Sequence, residues 1–183
     1  MDHRDHVNLI RNGVTAVGTW ADLGSGTGAF TLALAELIGP GGLIHSIDRD
    51  GGALTRQAEA LRARFPAVTV RQLRADFTEP LELPTLDGIV MANSLHFVRE
   101  QEELVTRLKG HLRHGGRFVL VEYDTDRGNP WVPFPISYRA WTAVAAAAGL
   151  ADTRRIGSVP SRFLGSIYAA VSFRPTARDP DPA

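Results

Sequence analysis

Apolar positions along the chain fall into short runs that alternate with longer amphipathic stretches, the rhythm of strands feeding helices. "TAVGTWADL" reads as a buried strand with Asp22 near its end. "GAFTLALAELIG" fills a helix face with apolar residues and stops at Gly39-Pro40-Gly41-Gly42, a strong breaker. "GLIHSID" is the second strand. "DGGALTRQAEALRARF" follows as an amphipathic helix with Leu54, Ala58, Leu61 and Phe65 on one stripe, and Pro66 ends it.

"AVTVRQLRAD" alternates like a third strand and "LDGIVMAN" is a compact apolar fourth. "REQEELVTRLKGHLR" predicts a helix with Leu104, Leu108 and Leu112 on one face, closed by His114-Gly115-Gly116. "RFVLVEY" lacks alternation, so it predicts a strand buried on both faces. After the loop "GNPWVPFP" comes the helix "ISYRAWTAVAAAAGL", ended by Gly149. The strands "ADTRRIGSV" and "SIYAAVSFR" have no helix-length segment between them and must be antiparallel. This order predicts the α/β class: a Rossmann-like, doubly wound, mostly parallel seven-stranded sheet with one antiparallel strand near the C-terminus. Ligands of such sheets bind beyond the carboxyl ends of the strands, beside the first strand.

Composition narrows the partners. The 183 residues suit one domain, with 44% hydrophobic and 22% charged residues. Net charge is zero and the pI is near 7.0, so the basic excess of a nucleic-acid binder is missing. With no cysteine, disulfides, thiolate metal sites and a cysteine nucleophile are excluded, and no metal site is expected. That is compatible with a cytoplasmic location. The first residues are charged and unlike a secretory signal, and no window approaches the roughly 20 apolar residues of a membrane span. The proline- and charge-rich stretch 175–183 is expected to be disordered.

"TWADLGSGTGAF" is the candidate for chemistry. Gly24, Gly26 and Gly28 let the backbone turn tightly and approach a ligand, although a tight turn that binds nothing has the same composition. The Gly-Lys-Ser/Thr ending of a triphosphate loop is absent. Gly24, Gly26 and Ala29 formally meet the dinucleotide pattern, and Asp48 lies about 20 residues beyond Gly28, where an acid holds ribose hydroxyls. This much fits NAD as well as S-adenosylmethionine. Asp22 would repel a pyrophosphate but favour the cationic amino-acid end of S-adenosylmethionine. "RADF" places Asp76 and Phe77 at a strand end, where they suit adenine. The chain also leaves no separate domain for a hydride acceptor.

Taken together, "ADLGSGTGAF", "IHSIDRD", "RADF" and "IVMANSLHFV" resemble successive motifs of the class I S-adenosylmethionine-dependent methyltransferases, and the final strand pair resembles that family's reversed hairpin. The resemblance covers roughly Thr19 to Arg174. It implies a single methyltransferase domain over 1–174, with 1–18 as an N-terminal cap segment, and S-adenosyl-L-homocysteine as the released product. It also implies that Asp22 and the loop Gly24, Ser25, Gly26 and Gly28 hold the methionine moiety. Asp48 would take the ribose with Arg49 beside the adenine, Asp76 and Phe77 would bind adenine, and Asn93 and Ser94 would line the reacting methyl.

The acceptor is less defined. His96, Glu122 and Tyr123 are placed to face it; His96 either serves as a base or only packs at the start of the next helix. Trp131, Phe134, Tyr138 and Trp141 would form either a wall over the acceptor or part of the core. With no cap insertion, the pocket is either shallow or completed by a second subunit in a homodimer. Neutral charge, the absent cysteines and "MANS" in place of an amine-methylating signature leave a small-molecule acceptor by elimination. A nicotinamide-dependent oxidoreductase and a non-catalytic S-adenosylmethionine-binding protein are the alternatives.

Overall fold

The computed structural model describes residues 1–176; positions 177–183, and most of the stretch expected to be disordered, lie outside the described residues. Strands β1 (Thr19–Leu23), β2 (Leu43–Asp48), β3 (Thr69–Arg74), β4 (Leu86–Ala92), β5 (Leu112–Tyr123), β6 (Ala151–Ser161) and β7 (Gly165–Phe173) form one sheet. Its order is β3-β2-β1-β4-β5-β7-β6. Strands β1 to β5 run parallel, and β7 is antiparallel to both its neighbours. This is the expected mostly parallel, doubly wound sheet with one reversed strand.

Helices α1 (His3–Ile10), α2 (Ala29–Ile38), α3 (Gly51–Arg64), α4 (Gln101–Lys109) and α5 (Tyr138–Ala147) complete the chain. Their ends have local causes. Asp50 Oδ1 accepts from the amides of Gly52 and Ala53 to start α3, and Ser137 Oγ accepts from Ala140 to start α5. None of the described helices is long and apolar enough to cross a membrane.

The sheet buries both faces, which is why its central strands read as unbroken apolar runs. Phe118 and Leu120 of β5 join Leu104, Leu108 and Trp141 on the side of α4 and α5. Val119 and Val121 point the other way, into a cluster with Trp20, Leu34, Ile38 and Ile10 on the side of α1 and α2.

Three boundaries differ from the sequence reading. The helix expected to continue to Arg113 ends at Lys109, and β5 begins at Leu112, which pairs with Leu86 of β4. Leucine spacing alone continues through Leu112, but pairing with the sheet overrides it. Strand β1 starts only at Thr19, after Val17 and Gly18 have turned through positive φ. The N-terminal stretch forms α1, opened by a capping box between Asp2 and Asp5. It packs on α2, with His6 edge-on to Phe30 at 4.8 Å, and none of its residues lines the cavity described next.

Candidate active site

At the carboxyl end of β1 the chain turns through Gly24 to Gly28 into α2. The amides of Gly24 and Ser25 donate to the Ile47 carbonyl at 2.9 and 3.1 Å, which ties the loop to β2. The glycines have φ of +76°, +52° and +92°. A Cβ on Gly24 would lie 2.5 Å from Cβ of Ser94, and one on Gly28 would overlap Gln57. A Cβ on Gly26 would meet nothing within 4 Å. The fold itself therefore needs glycine at 24 and 28 for space; at 26 it needs only the left-handed backbone, and the loop faces open space there.

Beneath the loop lies a buried polar network with no periodic signature in the sequence. Gln57 Nε2 lies 3.1 Å from Ser25 Oγ and 3.1 Å from Thr31 Oγ1, within donating distance of both. Ser46 Oγ lies 2.7 Å from Gln57 Oε1. Thr31 donates to Asp22 Oδ2 at 2.5 Å. Asp22 is itself buried, so it sits under the loop rather than on the cavity wall. Burial pushes its carboxyl up to about 7; the Thr31 hydrogen bond opposes this and the nearby Asp48 carboxylate adds to it.

This shift has a measurable consequence. Between the ordinary carboxyl value of 3.8 and about 7, the unfolded chain loses the Asp22 proton while the folded protein keeps it. Stability therefore falls as pH rises through that window and levels off above it. Asp22→Asn has no such proton to lose. It is expected to gain on the parent between pH 4 and 7, by an amount on the order of 4 kcal/mol at about 1.4 kcal/mol per pH unit. Melting temperatures of both proteins across pH 4 to 8 check this, and parallel curves would contradict it.

A cavity of about 360 Å³ opens beyond the ends of β1, β2 and β4. Gly24, Asp48, Arg49, Asp76, Phe77, Asn93 and Ser94 all line it, so the structure brings these sequence candidates together. Asp48 Oδ2 accepts from Gly26 at 2.7 Å and Oδ1 from Asp50 at 2.8 Å, leaving each oxygen a further lone pair. The Thr78 hydroxyl and amide both donate to Asp76 Oδ1, which holds that carboxyl below its usual range. Ser94 donates to the Leu23 carbonyl at 2.8 Å. Asn93, at φ +52°, keeps a buried Oδ1 without a partner among the described residues. One positioning residue was missed: Arg107 of α4 donates to the carbonyls of Phe77 and Thr78, at 3.3 and 2.5 Å, and braces the loop that carries Asp76.

Beside this cavity, His96 Nδ1 lies 2.7 Å from Glu122 Oε2, and the His96 amide donates to Oε1 at 3.2 Å. Both residues are buried. Nε2 of His96 makes no hydrogen bond among the described residues. The carboxyl ends of the adjacent strands β4 and β5 create this pair, since Asn93 donates to the carbonyl of Val121 at 2.8 Å. Tyr123 is half-buried; burial, then the Glu122 carboxylate, pushes its phenol above the ordinary value. The four aromatics read as either wall or core divide between the two. Trp141 is fully buried against Phe118, and Tyr138 packs on Tyr168 beneath Arg155. Trp131 is exposed, and its neighbour is Phe163 in the β6–β7 turn, a residue with no sequence signal.

Comparison with known proteins agrees with this fold. A family model described as a methyltransferase domain matches residues 21–118, more than half of the chain. The ubiquinone/menaquinone biosynthesis C-methyltransferase UbiE of Pasteurella multocida is 29% identical over 105 residues, which are 56% of this chain and 39% of that protein. Ribosomal RNA small subunit methyltransferase H of Verminephrobacter eiseniae is 28% identical over 94% of this chain and 47% of its own length. The chain thus spans less than half of either relative. Among solved structures, a SAM-dependent methyltransferase from Aquifex aeolicus superposes with a TM-score of 0.72 at 20% identity, over 93% of this chain and 89% of that one. A 1,6-didemethyltoxoflavin-N1-methyltransferase from Burkholderia thailandensis gives 0.73 at 17% identity, over 95% and 78%. These likenesses establish the same fold. The match to the family model places the motifs within it, and the chain belongs to the class I S-adenosylmethionine-dependent methyltransferases.

Proposed function

We propose that the domain transfers a methyl group from S-adenosylmethionine to a small-molecule acceptor, with the cavity beyond β1, β2 and β4 holding the cofactor. The observation that carries this reading is the convergence of Asp48, Asp76 and an unpartnered Asn93 Oδ1 on one cavity. The cofactor brings an ammonium, ribose hydroxyls and an adenine amino group, all donors, and these acceptors suit them. When bound, it supplies an electrophilic methyl and its own leaving group, so the protein's tasks are alignment and proton removal.

In this reading the spare lone pairs of Asp48 take the ribose hydroxyls. Asp76, held ionised by Thr78, accepts from the adenine, which Phe77 flanks while Arg49 lies at the rim. The Gly24–Gly28 loop, with Ser25 anchored below it, meets the methionine moiety, and the buried Asp22 faces the ammonium from beneath. Asn93 and Ser94 lie nearest the methyl. His96 takes the acceptor proton, Glu122 orients the imidazole and balances its charge, and Tyr123 walls the acceptor side. The names of the relatives point to different acceptors.

Asp48→Ala tests the cofactor assignment. Losing two charge-assisted bonds is expected to cost about 2–3 kcal/mol, or roughly 30- to 150-fold in affinity. Calorimetric titration with S-adenosylhomocysteine measures it, and an unchanged affinity would refute the ribose assignment.

A further inference from the structure

Four aromatic side chains from four separate stretches meet at the carboxyl end of the sheet. Phe97 follows β4, Tyr123 ends β5, Trp131 lies in the loop before α5, and Phe163 sits in the β6–β7 turn. The rings of Tyr123, Phe163 and Trp131 form a line, and the His96 ring joins it to Phe97, which helps to wall the cavity. His96 lies 4.3 Å from Phe97 and 6.2 Å from Tyr123; Tyr123 is 5.8 Å from Phe163, and Phe163 is 6.3 Å from Trp131.

Three of these rings are exposed where the protein's other large aromatics are not, and Tyr123 is half-buried. Phe97, Phe163 and Trp131 are 57%, 51% and 70% exposed, whereas Trp20, Phe118, Trp141 and Tyr168 are fully buried. Arginine guanidiniums lie over Phe65, Phe134, Phe173, Tyr138 and Tyr168, but among the described residues none lies over the four rings of this line. The Tyr123–Phe163 and Phe163–Trp131 contacts are edge-to-face, at 67° and 80°, so each covers a face of only one of its two rings. Clustered apolar exposure of this kind marks a binding surface.

We propose, resting on the function proposed above, that this wall receives a planar aromatic acceptor and that methylation falls on its hydroxyl oxygen. Aromatic rings are the natural partners of uncovered ring faces that lead inward to a cofactor cavity. The chemistry of the neighbouring pair selects the oxygen. A phenol, with a pKa of about 10, is largely protonated at neutral pH and needs a base, whereas a stabilised carbanion or a thiolate arrives ionised. His96 takes the hydroxyl proton as the oxygen bonds to the methyl carbon. The carbon–sulfur bond breaks with its electron pair left on sulfur, which becomes a neutral thioether, and the imidazolium, balanced by Glu122, later returns the proton to water.

The test uses 2-naphthol and its saturated counterpart 2-decalol, titrated calorimetrically with and without S-adenosylhomocysteine. The aromatic alcohol is expected to bind at least about tenfold more tightly, a 1.4 kcal/mol preference. The double substitution Trp131→Ala, Phe163→Ala is expected to remove that preference while leaving S-adenosylhomocysteine affinity unchanged. Equal binding of the two alcohols, or naphthol binding untouched by the double substitution, would overturn the proposal. So would a dimer, seen in sedimentation, that the double substitution disperses, because the patch would then belong to a second copy. Failure of the cofactor reading is distinguishable: it appears as absent S-adenosylhomocysteine binding, whatever the alcohols do.

Discussion

Replacing His96 with glutamine is expected to lower turnover roughly 10²- to 10⁴-fold while S-adenosylhomocysteine affinity stays the same. The backbone amide of residue 96, which donates to Glu122 Oε1 at 3.2 Å, survives the substitution, so the buried carboxylate is not left alone. What glutamine cannot do is accept a proton at neutral pH. The loss should therefore fall on the chemical step and spare cofactor affinity. Truncation of Glu122 is less informative, because breaking a buried pair by removing one partner costs about 3–5 kcal/mol and blurs stability with catalysis. Rate, cofactor affinity and melting temperature measured together on His96→Gln separate the two roles. A lowered melting temperature with near-normal rate would assign His96 to packing.

Gly26→Val is expected to abolish cofactor binding, at least about 100-fold or near 3 kcal/mol, in a protein that still folds. In the free protein the new Cβ meets nothing within 4 Å, so the folded state suffers only the strain of a branched residue at φ +52°. That strain amounts to about 1–2 kcal/mol and should appear as a modest drop in melting temperature. The cofactor, by contrast, must approach the loop where the valine methyls project. Gly24 and Gly28 would give no such separation, since a Cβ at either collides with Ser94 or Gln57 before any ligand arrives. Normal S-adenosylhomocysteine binding by Gly26→Val would reduce the loop to a turn.

How far the sequence carried this account depends on which forces leave a pattern. Apolar periodicity identified the strands and helices of the sheet, and the unbroken run through Phe118 to Val121 predicted a strand buried on both faces, as it is. The end of α4 was misplaced because Leu112 continues the helical spacing while its partner Leu86 is distant in sequence. The α1 helix carries a readable sign, the acidic pair Asp2 and Asp5 in capping spacing. The strand-end candidates Asp48, Asp76 and Asn93 were legible because parallel strands deliver their carboxyl ends to one edge. Gln57, Arg107 and Phe163 were not: each acts through contacts with segments distant in sequence, and no spacing along the chain announces them.

The central claim, that the cavity beyond β1, β2 and β4 takes S-adenosylmethionine, is tested most directly by titrating the unmodified protein with S-adenosylhomocysteine and with NAD side by side. The account predicts one-to-one binding of S-adenosylhomocysteine and none of NAD. Saturable NAD binding with no response to S-adenosylhomocysteine would contradict it.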